Sequence, residues 1–246
     1  FLWQKECLLQ LGINEALSRG ESHIVVTDAD VLFETPYSWD RIMQTFEAYD
    51  WFQPYETASL EYSDGALDTP SAMSFADPVR YGAGHPGSCW AGTSAFFRSV
   101  PLYPYALLGG GDVVMTHLLA TCWKHGASSK RFADLAAYIC DKALFPQLLP
   151  SILEWAKLAG HFTFRYGHTT GVHIRALDHG SRKSRGYNSR YSHWLGTKPI
   201  PQKDYFVGPQ GLLTWRRRPN KWEDEVVAYF RSREQSSATE PLTAGA

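Results

Sequence analysis

Apolar residues recur at helical spacing near the start of the chain, where Leu9, Ile13 and Leu17 fall on one face. This pattern predicts a helix over residues 2–17, which Gly20 can close. A short run rich in β-branched residues follows at 23–27 and predicts a buried strand. The chain therefore begins with a helix that leads into a strand.

The same patterns extend along most of the sequence and alternate between helix and strand. Helices are predicted at 36–48, 113–123, 135–158 (interrupted by Pro146 and Pro150) and 221–233, and strands at 51–55, 91–97 and 171–178. Residues 59–84 show no period and predict a long loop, and residues 236–246 predict a disordered tail. Alternation of this kind favours an α/β layered sheet, and no repeat or linker divides the chain, so we expect one domain.

Composition narrows the possible functions. The 246 residues carry a formal net charge of -1, which argues against a nucleic-acid-binding protein held by a general positive field. No apolar run is long enough to span a membrane, and no signal peptide is visible. The four cysteines lie far apart without a C-x-x-C pair, so a zinc ribbon or disulfide scaffold fits poorly and a reduced, cytoplasmic setting is expected.

Aromatic residues are abundant, with 9 Trp, 13 Tyr and 13 Phe. Tyrosine and tryptophan combine an apolar ring with a polar tip and suit sugar binding. Aromatic-rich sequences more often use these rings for packing, so the excess is a weak indication of carbohydrate binding.

The strongest local signal is Asp28-Ala29-Asp30, directly after the predicted strand 23–27. Ligands of open α/β sheets bind beyond the carboxyl ends of strands. Two neighbouring carboxylates repel each other unless a cation lies between them, and Mg²⁺ or Mn²⁺ prefers such oxygen ligands. The alternative is an ordinary surface turn, but the apolar residues on both sides of the tripeptide favour a metal site.

The stretch 24–33, Ile-Val-Val-Thr-Asp-Ala-Asp-Val-Leu-Phe, resembles the DxD strand of GT-A nucleotide-sugar glycosyltransferases. Further segments occur in the order of a bacterial and phage-type branch of that fold: Trp3-x-Lys5-Glu6, His85-Pro86-Gly87-x-x-Trp90-Ala91, Leu108-Gly109-Gly110-Gly111-Asp112, His179-Gly180, and Arg185-x-Tyr187-x-x-Arg190. The Gly-Gly-x-Asp element is also similar to segments of β-1,4-galactosyltransferases and polypeptide N-acetylgalactosaminyltransferases. The resemblance covers residues 1 to about 235 and rests on the order of the motifs.

This resemblance implies a GT-A-like (Rossmann-like) mixed sheet flanked by helices, with residues 1–235 as a partial catalytic domain. Its amino-terminal strand-helix-strand unit, which grips the nucleotide base in the family, has no counterpart here, so a truncated start is expected. Asp28, Asp30 and His179 would bind Mn²⁺ or Mg²⁺, although His161, His168 and His173 lie nearby in sequence and compete with His179. The basic segment would bind the diphosphate through Lys183, Arg185, Tyr187 and Arg190. A solvated basic loop is the alternative.

On the acceptor side, Asp112 is the candidate catalytic carboxylate, able to accept the proton of an attacking hydroxyl. The alternative is a helix N-cap, since Asp112 precedes the predicted helix 113–123. Three preceding glycines bring no capping benefit, which favours the substrate role. His85, Trp90, Gly110 and Gly111 are the other predicted substrate-binding residues.

The sequence thus predicts a metal-dependent glycosyltransferase of the hexosyltransferase type, acting in polysaccharide biosynthesis. Its donor would be a nucleotide-diphosphate sugar, with a UDP-sugar the first choice, and its acceptor a hydroxyl of a glycan, lipid-linked sugar or protein. A metal-dependent phosphohydrolase using the same aspartates, and a non-catalytic carbohydrate-binding domain, are the alternatives.

Overall fold

The computed structural model describes residues 2–63, 65–73, 84–177, 191, 198–217 and 222–238. Within these residues the chain forms seven α-helices: α1 Lys5–Ser18, α2 Ser38–Ala48, α3 Ser94–Ser99, α4 Gly111–His125, α5 Lys130–Lys142, α6 Leu149–Gly160 and α7 Glu223–Ala238. A 3₁₀ turn at Pro146–Leu148 leads into α6. None of the described helices is both long enough and apolar enough to cross a membrane.

The described residues also form three sheets. The strands are β1 His23–Thr27, β2 Val31–Phe33, β3 Trp51–Gln53, β4 Thr57–Glu61, β5 Leu67–Asp68, β6 Cys89–Thr93, β7 Tyr166–His168, β8 His173–Ala176, β9 Tyr205–Val207 and β10 Leu213–Trp215. The first sheet has the order β1-β6-β3-β7, with β6 antiparallel to both neighbours and β3 parallel to β7. The second has the order β2-β8-β4-β5, and β9 pairs with β10.

Three short connections carry the chain from the first sheet into the second, namely β1–β2, β3–β4 and β7–β8. Because β1 and β3 are both antiparallel to β6, and β3 is parallel to β7, these three strands run in the same direction. Their carboxyl ends therefore meet at one edge of the first sheet. We call these connections the crossings, and that edge is where open α/β sheets bind ligands.

The first sheet is covered on both faces, because alternate side chains of its central strands point to opposite sides. Trp51 and Trp90 belong to the main core, which contains the buried residues of α3 to α6. Phe52 and Ala91 pack against Ile42 and Phe46 of α2. This arrangement confirms the prediction of a mixed α/β fold with helices flanking the sheet.

Several predicted elements are confirmed with small shifts of their ends. The strand at 23–27 is β1, and α1, α2, α4 and β8 overlap their predicted ranges. The prolines act at the start of helical elements, since Pro146 opens the 3₁₀ turn and Pro150 lies in the first turn of α6. The predicted tail loses residues 236–238 to α7, and the remainder lies outside the described residues.

Two predictions are wrong. The strand predicted at 91–97 ends at Thr93, whose hydroxyl accepts a hydrogen bond from the Phe96 amide (3.2 Å) and so caps α3. The loop predicted at 59–84 contains most of β4 and all of β5, which pair with each other in the second sheet. Strands as short as β5 carry too few alternating positions for a period to be recognised.

Candidate functional site

Asp28 lies at the β1–β2 crossing, immediately after the last residue of β1. Its amide donates to the Ser88 carbonyl (2.8 Å), and its own carbonyl accepts from the Val31 amide (3.3 Å), which closes a turn around Ala29 and Asp30. The Asp30 carbonyl in turn accepts from the Leu177 amide (2.8 Å). The Asp-Ala-Asp tripeptide is thus held by its backbone from both sides, and the predicted metal binding by Asp28 and Asp30 stays a prediction.

The Asp28 carboxylate has a cationic partner that the sequence analysis does not assign to the site. Lys5 Nζ lies 2.6 Å from Asp28 Oδ1, and the same ammonium group is 5.5 Å from the centre of the Trp90 ring. Lys5 is the first residue of α1, so the start of this helix lies beside the end of β1. Both side chains keep part of their surface in solvent, 22% for Lys5 and 32% for Asp28.

Asp112 reaches the same region from the first turn of α4. The N-cap of this helix is Gly110, with φ 98°, and Gly109 before it has φ 93°; both are values that favour glycine. Asp112 Oδ1 accepts from the Val113 amide (2.9 Å), and a carboxylate in the first turn complements the helix dipole. The alternative that Asp112 is the N-cap of α4 is therefore wrong, because Gly110 is the N-cap. Gly109 and Gly110 allow the left-handed backbone of the turn before the helix.

Two glycines leave room for carboxylates at this site. A Cβ atom on Gly87 would lie 2.8 Å from Asp112 Oδ2, and one on Gly111 would collide with the Glu6 carboxyl group. Both glycines are buried. Glycine at positions 87 and 111 thus allows Asp112 and Glu6 to pack directly against backbone, which gives Gly111 a structural role beside its predicted substrate contact.

Glu6 is the second residue that the sequence analysis leaves unassigned. Its side chain is 2% exposed, and Oε2 has no hydrogen-bond partner among the described residues. Burial raises the pKa of Glu6 to about 7, with the Asp112 charge adding to the shift and the Lys5 charge opposing it. Glu6 therefore exchanges a proton near neutral pH.

These groups form what we call the charged cluster: Lys5, Glu6, Asp28, Asp30 and Asp112. Burial alone would lower the pKa of Lys5, but the carboxylates of Asp28 and Asp112 raise it above its ordinary value. Burial raises the pKa of Asp28, against the opposing effect of Lys5, and the charges of Asp112 and Asp30 add to the rise. Within the described residues, Lys5 thus pairs with Asp28 and is influenced by Asp112 and Glu6, and the carboxyl groups gathered here suit a cation.

The cluster by itself is not a finished metal site. Among the described residues, no group of three His, Cys, Asp or Glu side chains is arranged to hold a metal ion. The predicted third ligand, His179, lies outside the described residues, together with Lys183, Arg185, Tyr187 and Arg190. Two of the competing histidines are placed elsewhere, because His173 bonds to the hydroxyls of Thr57 (2.8 Å) and Ser59 (3.0 Å) and His168 ends β7.

The loop 85–88 completes the wall around Asp112. Ser88 has φ 72°, an uncommon value for a residue other than glycine and one that recurs at functional sites. His85 Nε2 lies 3.0 Å from Ser88 Oγ, and the Tyr55 hydroxyl bonds to the carbonyls of His85 and Gly87 (both 3.1 Å). This network fixes the loop, and the predicted role of His85 in substrate binding stays a prediction.

Trp90 lies between the main core and the charged cluster. Its ring is 2% exposed in the main core, and its indole N–H donates to the Pro86 carbonyl (3.1 Å). In this arrangement the ring supports Lys5 and the loop 85–88. Stacking of a sugar on Trp90 stays a prediction.

The basic segment connects two described residues that border the charged cluster. Leu177 precedes it and bonds to the Asp30 carbonyl (2.8 Å). Tyr191 follows it, and its hydroxyl donates to the Gly109 carbonyl and accepts from the Leu108 amide (both 2.9 Å). The two described residues that flank the predicted diphosphate-binding segment therefore lie beside the Asp-Ala-Asp turn and the start of α4.

Glu6 has a signal in the sequence that identifies its position. The apolar stripe at Leu9, Ile13 and Leu17 extends back seven residues from Ile13 to Glu6, which places a carboxyl group on the buried face of α1. A charge on such a face requires a special environment. Nothing comparable marks Lys5, whose contact with Asp28 depends on where the helix meets the sheet.

No protein-family model, curated protein or solved structure matches the chain.

Proposed function

We propose that the protein is a metal-dependent glycosyltransferase that transfers a sugar from a nucleotide-diphosphate donor to a hydroxyl acceptor. The observation that carries this proposal is the convergence of four distant sequence segments at the end of β1. Residues 5–6, 28–30, 85–88 and 110–112 meet there, with Leu177 and Tyr191 at their border. These are the segments that resemble GT-A enzymes.

The residues present suit a hard divalent cation. Asp28 and Asp30 offer carboxylate oxygens, and a cation would offset the repulsion that the charges of Asp30 and Asp112 exert on Asp28. We assign them as ligands of Mn²⁺ or Mg²⁺, with His179 as the predicted third. A divalent ion bound there would stabilise the negative charge that develops on the departing diphosphate.

Lys5 and the basic segment would assist the donor. Lys5 lies beside the proposed metal ligand Asp28, and its ammonium group would add positive charge for the donor diphosphate. Lys183, Arg185 and Arg190 would supply further positive charge, since they fall in the sequence between Leu177 and Tyr191, which border the charged cluster.

Asp112 is assigned to the acceptor. Its carboxylate faces the loop 85–88 across Gly87 and is held by the Val113 amide, so its position is fixed before the acceptor binds. In a reaction with inversion it accepts the proton of the attacking hydroxyl, and in one with retention it orients the acceptor.

A screen of nucleotide sugars for thermal stabilisation, with and without Mn²⁺, tests the proposal. We expect one UDP- or GDP-sugar to raise the melting temperature by about 5–10 °C at a hundredfold excess over its Kd, only when Mn²⁺ is present. The Asp28→Asn variant should lose this response, and Asp134→Asn, an exposed control on α5, should keep it.

Two results would contradict the proposal. Absence of stabilisation by every nucleotide sugar tested with Mn²⁺ is the first. The second is stabilisation by free sugars alone, independent of metal and of Asp28, which would identify a non-catalytic carbohydrate-binding protein.

A further inference from the structure

A cavity lies at the β7–β8 crossing, three strands away from Asp28 in the first sheet. It has a volume of about 490 Å³, which is in the range of small-molecule pockets. Its walls are the outer side of α2 and the turn that leaves β7. The lining residues are Tyr37, Asp40, Arg41, Gln44, Thr45, Ala48, Tyr49, His168, Thr169 and Thr170.

The helix wall of this cavity is polar where a packed helix face would be apolar. Ile42 and Phe46 are buried on one side of α2, against the first sheet. Asp40, Arg41 and Gln44 follow helical spacing on the side that lines the cavity. The helix thus has two functions, one face for the core and one for a water-filled or ligand-filled space.

The wall opposite α2 contains a buried hydroxyl with no partner. Thr169 is 1% exposed, and its amide donates to the Gln53 carbonyl (3.0 Å), but its Oγ1 makes no hydrogen bond among the described residues. Asp40 and Gln44 on the facing wall of α2 are exposed, so their side chains are open to a ligand in the cavity. Polar side chains that line one cavity suit a ligand with many hydrogen-bonding groups.

The charges around the cavity balance. Asp40 and Arg41 have opposite charges, and burial lowers the pKa of His168, against the opposing charge of Glu56, so that its imidazole is neutral at pH 7. Arg41 is fixed across the turn, since its Nη1 lies 3.4 Å from the Thr170 carbonyl and packs directly over Gly171. A cavity with no net charge favours a neutral ligand over a phosphate or a carboxylate.

Tyr37 provides an apolar surface at the rim. It is 80% exposed and has φ 58°, a left-handed conformation that is uncommon for a tyrosine and recurs at functional sites. An exposed ring beside a polar cavity suits a ligand with one apolar face and many hydroxyl groups. Neutral sugars have this character.

From these observations we propose that the cavity between α2 and the β7–β8 turn binds a neutral carbohydrate. Gln44 and Asp40 bond to the sugar hydroxyls, and the Tyr37 ring covers the apolar face of the sugar. This binding site is separate from the charged cluster and does not depend on metal or on sugar transfer.

Binding is tested by saturation-transfer NMR and calorimetry with glucose, maltotriose, cellotriose and chitotriose, in the presence of EDTA. Glucuronic acid and glucosamine are tested as the charged sugars. Comparing the affinity for the trisaccharides with that for glucose shows whether the site prefers a glycan chain or a monosaccharide. We expect at least one neutral sugar to bind with a millimolar or lower Kd, and the charged sugars to bind at least 5-fold more weakly.

Variants locate the binding. Gln44→Ala and Tyr37→Ala should each weaken the affinity at least 5-fold, and Tyr138→Ala, which removes an exposed tyrosine of α5, should leave it unchanged.

The proposal is overturned if none of the four neutral sugars shows binding at a concentration of roughly 10 mM. It is also overturned if binding survives in Gln44→Ala and Tyr37→Ala, or if only the charged sugars bind. Repeating the titration with Asp28→Asn distinguishes the two proposals. Loss of the charged cluster should not change this affinity, so failure of the transferase proposal leaves the result intact.

Discussion

Two crossings at the same edge of the first sheet differ in chemistry. At β1–β2, the Lys5 ammonium group pairs with Asp28 beside Asp112 and Glu6, in the charged cluster that we propose binds a divalent cation. At β7–β8, a cavity of about 490 Å³ is lined by polar side chains that include one acid and one base. The topology is alike in both places, since a strand ends and the chain passes into the second sheet.

The difference arises from the helix that covers each crossing. The first turns of α1 and α4 bring Lys5, Glu6 and Asp112 to the first crossing. The polar side of α2 brings Asp40, Arg41 and Gln44 to the second. The sheet edge thus provides two positions for a ligand, and the residues on the adjacent helices determine which ligand each position favours.

The largest expected effect is at the first crossing. Asp28→Asn removes a carboxylate ligand and should lower the affinity for Mn²⁺, and with it the transfer rate, by about 10³-fold, because a bound metal supplies several kcal/mol. Isothermal titration with Mn²⁺ and a donor-turnover assay measure this. Sugar binding at the second crossing should be unchanged, and a loss at both crossings would contradict their independence.

Asp112→Asn is next. The amide cannot accept the proton of the acceptor hydroxyl, so kcat should fall by about 10²–10⁴-fold while the Kd for the donor changes little. The melting temperature should stay near that of the wild type, since Gly110 is the N-cap of α4. Transfer that survives nearly intact would show that Asp112 serves only the helix.

Glu6→Gln changes stability in a pH-dependent way. The carboxyl binds its proton more tightly in the folded state, so its contribution to stability falls as the pH rises from about 4.5 to about 7. The full penalty above pH 7 is roughly 3 kcal/mol, and the neutral amide removes it. Urea denaturation at pH 5 and pH 8 should show a gain that is several-fold larger at pH 8.

A matched control for this variant lies on the same helix. Glu15→Gln replaces an exposed glutamate that pairs with Arg19 (2.8 Å), so its effect on stability should be small at both pH values. Equal effects of Glu6→Gln at pH 5 and pH 8 would contradict the raised pKa of Glu6.

Lys5→Met tests the competition at Asp28. The ammonium group and the divalent cation claim the same oxygen, so removal of Lys5 should strengthen Mn²⁺ binding about 5-fold, the equivalent of about 1 kcal/mol for a part-exposed pair. It should also raise the pKa of Glu6 further, because Lys5 opposes the shift. Lys157→Met, on the exposed side of α6, is the control. Weaker Mn²⁺ binding by Lys5→Met would contradict competition between Lys5 and the cation for Asp28.

The smallest effect concerns stability at the second crossing. Thr169→Val replaces a buried hydroxyl that has no hydrogen-bond partner among the described residues, and it should stabilise the free protein by about 1 kcal/mol. Thr116→Val removes a hydroxyl that donates to the Pro86 carbonyl (2.7 Å) and should destabilise it by about 1 kcal/mol. Destabilisation by both variants, measured by urea denaturation, would show that the Thr169 hydroxyl has a partner.

The sequence was sufficient where periodicity is long or the motif is local. The strand at 23–27 and the aspartates behind it follow from a β-branched run and its polar end, and α4 follows from an apolar stretch. Short strands such as β5 and β9 carry no usable period. The contact of Lys5 with Asp28 joins residues 23 positions apart through tertiary packing, which no local pattern encodes.

The second crossing was missed for a related reason. Its polar residues on α2 have the pattern of an ordinary solvated helix face. Only the packing of that face opposite Thr169 turns it into a cavity. The buried, unpartnered hydroxyl is a tertiary feature and has no signal in the sequence.

The most direct test of the central claim is a Mn²⁺ titration with and without UDP, in which electron paramagnetic resonance measures the free and bound Mn²⁺. We predict that the wild type binds Mn²⁺, that UDP tightens the binding, and that Asp28→Asn loses it while Gln44→Ala keeps it. Equal Mn²⁺ binding by the wild type and Asp28→Asn, or no binding by the wild type with UDP present, would contradict a cation site at the β1–β2 crossing.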